Sequence, residues 1–160
     1  MTVEKRNIDD LDARIISILQ SDGRISNTDI AKMLAVSEAT VRGRIKRLID
    51  DDIIQIVAVS NPLKLGFEIT GDLYISVDMT KIKNVLNAIS KFKELWYIVV
   101  TTGKSNLNAE FVVKNLEDLH DLVYNRISHI DGVQQVETSI IMKYVKRRYD
   151  FGTPLDARRS

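Results

Sequence analysis

The stretch Thr28–Leu48, TDIAKMLAVSEATVRGRIKRL, constrains this chain more than any other part of it. It reads as two short helices joined by a tight turn. Ile30, Ala31 and Leu34 make an apolar stripe on the first helix, and Val36 falls in the turn. Val41, Ile45 and Leu48 continue the stripe at i, i+4, i+7 on the second. Ala31 is small enough to let the two helices approach closely. Ser37 is suited to cap the second helix, because its hydroxyl accepts a bond from an orphan backbone N–H. This is the layout of a helix-turn-helix, whose second helix enters the DNA major groove.

Charge supports that reading. Arg42, Arg44, Lys46 and Arg47 lie between Ala39 and Ile49 with no acidic residue among them. They project from the faces that Val41, Ile45 and Leu48 leave free, where cations neutralise phosphates and release counterions. Ser37, Glu38, Ala39, Thr40, Arg42 and Gly43 form the N-terminal, base-facing part of the helix. Arg42 and Thr40 are the expected base contacts, and Gly43 leaves room for close approach to the duplex. Arg44 and Arg47 are expected to hold phosphates or to stabilise the helix packing. The alternative is an ordinary helical hairpin with a solvated basic face.

Composition sets the class. The chain has 160 residues, enough for one domain or two small ones, and 44% of them are hydrophobic. The net charge of +1 does not by itself suggest nucleic acid, so the argument rests on where the cations sit. Without cysteine there is neither a disulfide nor a thiolate zinc site. No run approaches the roughly 18 apolar residues of a membrane span. The start, MTVEKRNIDD, lacks the apolar core of a signal peptide. The expected location is the cytoplasm, with no membrane partner.

Four segments are expected: a (winged) helix-turn-helix domain over 1–52, a linking strand and hinge over 53–66, an α+β domain over 67–150, and a polar tail over 151–160. Asp9 caps a first helix with Asp12 in its first turn, and Leu11, Ile15, Ile16, Ile18 and Leu19 supply its apolar side. Gly23 is expected to end it in the left-handed conformation. Ile53–Val59 reads as a strand that pairs with its copy in a second chain, since a bare apolar strand is an aggregation hazard.

From Phe67 the pattern is β-α-β-β-α-β, the ferredoxin-like order. Ile69–Val77 alternates as a half-buried strand, and Ile82–Phe92 has helical spacing. Trp96, Ile98 and Val100 mark a second strand, and Glu110–Lys114 a third. Leu116, Leu119, Leu122, Val123, Ile127 and Ile130 mark a second helix. Val136, Thr138, Ile140, Met142 and Tyr144 mark a last strand. Val99, Val112 and Ile141 point to the sheet face that the helices leave open, which again argues for a homo-oligomer. Tyr149 and Phe151 are expected to anchor the start of the tail.

A helix-turn-helix, a linking strand and a ferredoxin-like domain together resemble the leucine-responsive regulator/asparagine-operon regulator (Lrp/AsnC) family of transcription factors. The likeness spans nearly the whole chain. It is carried by Ile8-Asp9-x-x-Asp12, Asp22-Gly23-Arg24-x-Ser26, Val41-x-x-Arg44-x-x-Arg47-Leu48, Asn61-Pro62 with Leu65-Gly66, Thr102-Gly103, and Gly132-Val133. The resemblance implies dimers that assemble into tetramers or octamers and a near-palindromic site in double-stranded DNA. It also implies a small effector, usually an amino acid, bound at interfaces between dimers, with no other cofactor. By the same resemblance the loop residues Thr101, Thr102, Gly103, Lys104, Ser105, Asn106 and Asn108 line that pocket. Gln134, Gln135, Val136 and Thr138 of the last strand join them.

The departures are informative. Ala35 and Asp52 stand where the family usually has glycine; alanine with positive φ costs roughly 1–2 kcal/mol, while aspartate tolerates that conformation better. The family pattern Thr-Gly-x-x-Asp becomes Thr102-Gly103-Lys104-Ser105-Asn106, which replaces a carboxylate suited to an effector ammonium with a neutral carbonyl. Lys104 is suited instead to a carboxylate. Val136 replaces a usual threonine.

Rival classes are weaker. His120 and His129 lie nine residues apart with no third ligand evident, whereas a helical metal pair sits at i, i+4. Gly103-Lys104-Ser105 matches the end of a P-loop, yet the glycine required five residues upstream is Ile98. Ser105 has no base near it in sequence, so no catalytic or metal constellation is expected. An architectural protein that wraps DNA with little sequence preference and no effector is the main alternative.

Overall fold

The computed structural model describes residues 8–147. They divide into two compact units at the Val59/Ser60 boundary. The expected anchors Tyr149 and Phe151, and the tail over 151–160, lie outside the described residues.

The first unit holds three helices: α1 (Asp10–Ser21), α2 (Asn27–Leu34) and α3 (Glu38–Asp50). Each begins at a side-chain cap read from local sequence. Asp9 accepts from the Asp12 backbone N–H at 2.9 Å, and Asp12 Oδ2 accepts from the Asp9 N–H at 3.2 Å, a reciprocal capping box. Ser26 accepts from Asp29 N–H and Ser37 from Thr40 N–H, both at 3.1 Å. Ile15, Ile16, Ile30, Ala31, Leu34, Val41 and Leu48 form the buried core, with Leu11, Ile18, Leu19, Val36 and Ile45 packed around it. Gly23 is not left-handed; α1 ends instead at Asp22, whose backbone is extended and whose carboxylate accepts from Arg24 N–H at 2.9 Å. That side-chain turn does the work a left-handed glycine would have done.

Within the single chain Ile53–Val59 joins no ladder; the partner expected for it is its copy in a second chain. Ile53 and Ile54 donate their N–H groups back to Leu48 O, continuing the end of α3. Ile56, Val57 and Val59 are exposed. A strand is a property of a ladder, and no described segment pairs with this one.

The second unit is a four-stranded antiparallel sheet of order β2-β3-β1-β4, with β1 at Ile69–Val77, β2 at Leu95–Val100, β3 at Leu107–Val113 and β4 at Val133–Ile140. Helix α4 spans Ile82–Ile89, and α5 spans Leu116–His120 and continues as a π-helix over Asp121–Ile127. This is the ferredoxin-like arrangement. Leu73, Ile75, Phe111 and Leu107 of the sheet pack against Val85, Ile89, Leu122 and Ile127 of the helices. Gly71 is required by close approach: a Cβ there would lie 2.1 Å from Ser139 O and 2.8 Å from the Phe111 ring.

Four elements differ from their sequence patterns. β3 begins at Leu107, three residues before Glu110, so Asn108 lies in the strand, paired with Tyr74 and Val99, and not in the loop. In β2 the register shifts between Leu95 and Tyr97, so Trp96 is an extra, exposed residue and Leu95 takes the core position. Trp96, Ile98 and Val100 therefore do not share a buried face. The second helix turns wider than 3.6 residues where it becomes π; it closes with Ser128 N–H donating to Val123 O at 3.0 Å, which leaves Ile130 beyond its end, and Leu116 at its start is exposed. Strand β4 stops at Ile140, with Met142 98% exposed and the Tyr144 hydroxyl 2.9 Å from Thr70 Oγ1. Val99, Val112 and Ile141 are half-buried within the single chain.

Candidate nucleic-acid interface and effector loop

Helix α3 is held by Val41 and Leu48, both fully buried, which fixes its opposite face toward solvent. Ala39, Thr40, Arg42, Gly43 and Lys46 are exposed on it. Positions 39, 42, 43 and 46 are spaced i, i+3, i+4, i+7 and so form one stripe. A Cβ on Gly43 would meet nothing within 4 Å. Ser37 is engaged at the cap, and its hydroxyl lies 2.7 Å from that of Thr40. An open groove of about 630 Å³ runs along the helix, lined by Asp9, Ala39, Thr40, Gly43, Arg44 and Arg47.

Each basic side chain of α3 has a carboxylate partner. Arg42 reaches Glu38 at 3.4 Å, and Lys46 pairs with Asp50; both are exposed i, i+4 pairs. Such pairs are worth about 0–1 kcal/mol and exchange readily with phosphate. The other two cations reach α1 instead. Arg44 bonds Asp9 and, at 3.1 Å, Asp12; Arg47 bonds Asp12. Asp12 is fully buried, so the first turn of α1 and the middle of α3 are joined by a charged network at the edge of the core. The Asp9 carboxyl is held down at about 2, first by the Asp12 N–H and then by Arg44. Arg44 and Arg47 are raised above their ordinary range, chiefly by hydrogen bonds to Asp9 and Asp12 respectively.

Asp9 and Asp12 read from sequence only as a cap and a dipole partner. A signal for the network was present: Asp9-x-x-Asp12 and Arg44-x-x-Arg47 share the i, i+3 spacing, which presents two like charges on one face of each helix.

In the second unit the β2–β3 loop closes on itself and on the end of β1. Thr101 donates its N–H to Asn106 O at 2.9 Å and its hydroxyl to Ser105 O at 3.0 Å. Asn106 N–H donates to Ile75 O at 3.1 Å, and Ser76 Oγ donates to Lys104 O at 3.3 Å. The Asn106 side-chain carbonyl, expected to face a ligand, accepts from Val77 N–H at 2.9 Å. Ser105 Oγ donates to Asn108 Oδ1 at 3.0 Å. Gly103, at φ +131°, stands open at the tip, and Thr102 and Lys104 are exposed beside it.

Strand β4 begins on the other side of the same stretch of β1, with Val133 opposite Val77 and Gln135 opposite Ser76. Loop and strand start are thus brought to one end of the sheet. The strand residues then split by face. Gln135 faces away from the helices and donates to Glu137 Oε1 at 3.1 Å, and Gln134 is exposed. Val136, opposite Ile75, packs on the core under the helices. Thr138, opposite Leu73, lines a separate cleft of about 360 Å³ with Leu116, Leu119, His120, Val123, Tyr124 and Ile140. His120 stacks on Tyr124 with ring centroids 4.7 Å apart, and His129 Nδ1 lies 2.9 Å from Tyr124 O.

Comparison with known proteins agrees with both units. Residues 8–49 match the AsnC-type helix-turn-helix domain family, and residues 73–151 match the Lrp/AsnC ligand binding domain family. An HTH-type transcriptional regulator of Pyrococcus horikoshii is 33% identical over 146 residues, covering 91% of this chain and 92% of that one. The HTH-type transcriptional regulator LrpA of Pyrococcus abyssi is 33% identical over 140 residues, covering 87% of this chain and 99% of that one. The crystal structure of the transcriptional regulator NMB0573 in complex with L-Met, from Neisseria meningitidis, has a TM-score of 0.84 at 20% identity, covering 93% of this chain and 99% of that one. That last likeness is one of fold.

Proposed function

The chain belongs to the Lrp/AsnC family of helix-turn-helix transcriptional regulators, and from that premise we propose how it reads DNA and what it senses. Arg42 and Thr40 read bases in the major groove, with Ser37, Glu38, Ala39 and Gly43 beside them and Lys46 on the backbone. The carrying observation is the exposed stripe of α3, on which Arg42 and Lys46 are tied only by weak, exposed ion pairs. A bidentate arginine–guanine contact is worth about 1–3 kcal/mol of discrimination. Two chains present two such helices to groove segments about 34–36 Å apart on a near-palindromic site. Dimers assemble further into tetramers or octamers.

The effector is an amino acid or a related small molecule, bound where the Thr101–Asn108 loop and the start of β4 converge. Supporting this are the convergence itself, the exposed Lys104 ammonium as a carboxylate partner, and the L-Met complex of the Neisseria relative. With Asn106 Oδ1 committed to Val77, a ligand ammonium must find its acceptor elsewhere, in Gln135 or a second copy of the chain. An effector that favours one assembly state couples to DNA binding by about 1–3 kcal/mol.

Gel shift and footprinting on the DNA upstream of the gene, with and without a panel of amino acids, test both parts. A discrete footprint with repeats at helical-turn spacing, altered by one amino acid, is expected. Weak, salt-sensitive, unpatterned binding that no amino acid changes would replace this reading with an architectural one.

A further inference from the structure

We propose that Asp9 and Asp12 are specificity-determining residues that withhold Arg44 and Arg47 from the DNA backbone, and so suppress non-specific binding. The proposal rests on the reading of α3 as the DNA-facing helix.

The four basic groups of α3 fall into two kinds. Arg42 and Lys46 are exposed, and their partners lie on the same helix one turn away. Arg44 and Arg47 are pulled sideways to the first turn of α1. Asp12 is buried at 0% exposure and bonds both guanidinium groups, so the two arginines cannot both leave without stranding a buried charge, and Arg44 is held by Asp9 as well. Arg47 Nε is buried without a hydrogen-bond partner among the described residues. Outward rotation would hydrate that N–H, so the contact with Asp12 outweighs it.

Asp9 acts from the other side. Its carboxylate lines the same groove as Ala39, Thr40 and Gly43, where a phosphate would meet Arg44. It therefore both occupies Arg44 and repels an anion approaching it. Because Asp9 stays ionised down to about pH 2, this restraint does not relax near neutrality. Phosphate contacts raise affinity for every sequence alike. Removing two of four cations from that role lowers non-specific affinity and leaves base contacts a larger share of the total.

The test compares the full-length wild type with Asp9→Asn, Asp12→Asn, Asp9→Asn/Arg44→Gln and Arg42→Ala. Each is titrated onto a 30-bp random-sequence duplex and onto the gene's own upstream DNA between about 50 and 200 mM KCl, the range over which phosphate contacts show as a salt slope. Asn retains the capping oxygen at Asp9. In Asp9→Asn the random duplex is expected to bind more tightly, with a slope steeper by about 0.9, the value of one added phosphate contact, so that affinity falls roughly three- to fourfold more across that range. Asp12→Asn is expected to add a slope of about the same size through Arg47, because Arg44 keeps its bond to Asp9. The ratio of specific to non-specific affinity falls in both. The double variant is expected to return to the wild-type slope, because the gain passes through Arg44.

Unchanged or weaker random-duplex binding at the wild-type slope in Asp9→Asn overturns the proposal, as does a steep slope that survives in the double variant. Should circular dichroism show Asp12→Asn unfolded, the Asp9 pair of variants decides alone. Arg42→Ala separates the premise from the proposal. If it leaves both DNAs bound as in wild type, the DNA-facing reading of α3 fails. If it weakens the upstream DNA selectively while Asp9→Asn stays at the wild-type slope, only the withholding of arginines fails.

Discussion

The backbone N–H of Val77 donates to Oδ1 of Asn106 over 2.9 Å, tying the β2–β3 loop to the last residue of β1. Asn106 N–H donates in turn to Ile75 O, so the loop grips β1 at two points. Truncation to Asn106→Ala removes the acceptor and leaves a partly buried donor unmet, at a cost of about 1–3 kcal/mol. Asn106→Asp keeps an oxygen in place, and its charge strengthens the bond. Urea unfolding of the two variants is expected to show a lowered midpoint for alanine and none for aspartate. Equal losses would mean that the side chain is held by something other than Val77.

Gly43 separates stability from DNA approach. It lies inside α3, exposed, with no atom within 4 Å of where a Cβ would stand. Glycine within a helix is worse than alanine by roughly 0.5–1 kcal/mol. Gly43→Ala is therefore expected to raise the stability of the helical unit by that amount. If Gly43 faces the duplex, the added methyl at the same time weakens binding to the upstream DNA. A thermal melt and a gel shift on one preparation read both effects. A gain in stability with unchanged DNA affinity would remove Gly43 from the interface.

Asp9 gives α1 a pH dependence with a defined sign. Its folded value is about 2 against an ordinary 3.8, so the ionised carboxylate favours the folded state. That contribution is present above pH 3.8 and is lost as pH falls from there through about 2. A side-chain carboxyl titration by NMR should find the midpoint of Asp9 near 2. Arg44→Gln should raise it only part of the way to the ordinary value, because the Asp12 N–H is the larger cause. A midpoint near 3.8 in the wild type would mean that the capping box does not persist in solution.

What the sequence disclosed follows range of interaction. Asp9, Ser26 and Ser37 are legible as caps because the bonds they make lie within three residues. The apolar stripes of α2 and α3, and the strand and helix order of the second unit, follow from periodicity alone. Features that need a distant partner stay hidden. The bulge at Trp96 is set by the register of β2 on β3. Alternation puts Gln135 and Thr138 on opposite faces, but which of them faces the helices emerges only when Ser76 and Leu73 are known as their neighbours. The Asp12 contacts with Arg44 and Arg47 span 32 and 35 residues. Ile53–Val59 has strand composition, and its expected ladder is with a second chain, so nothing within one chain displays it.

Ala35 carries a backbone conformation that favours glycine. It stands at φ 54° and ψ 44°, just past the end of α2. Val36 N–H donates back across it to Ala31 O at 3.1 Å, closing the turn that leads into α3. A left-handed alanine costs about 1–2 kcal/mol in the folded state. Glycine relieves that cost, less about 0.4–1 kcal/mol for its greater freedom in the unfolded chain. Ala35→Gly is therefore expected to stabilise the helical unit by about 0.5–1 kcal/mol net. Asp52, at the same φ of 54°, is expected to gain less from glycine, because aspartate visits this region more readily. Thermal melts of the two single variants rank them. A destabilised Ala35→Gly would mean that the alanine methyl makes a packing contribution larger than the strain it carries.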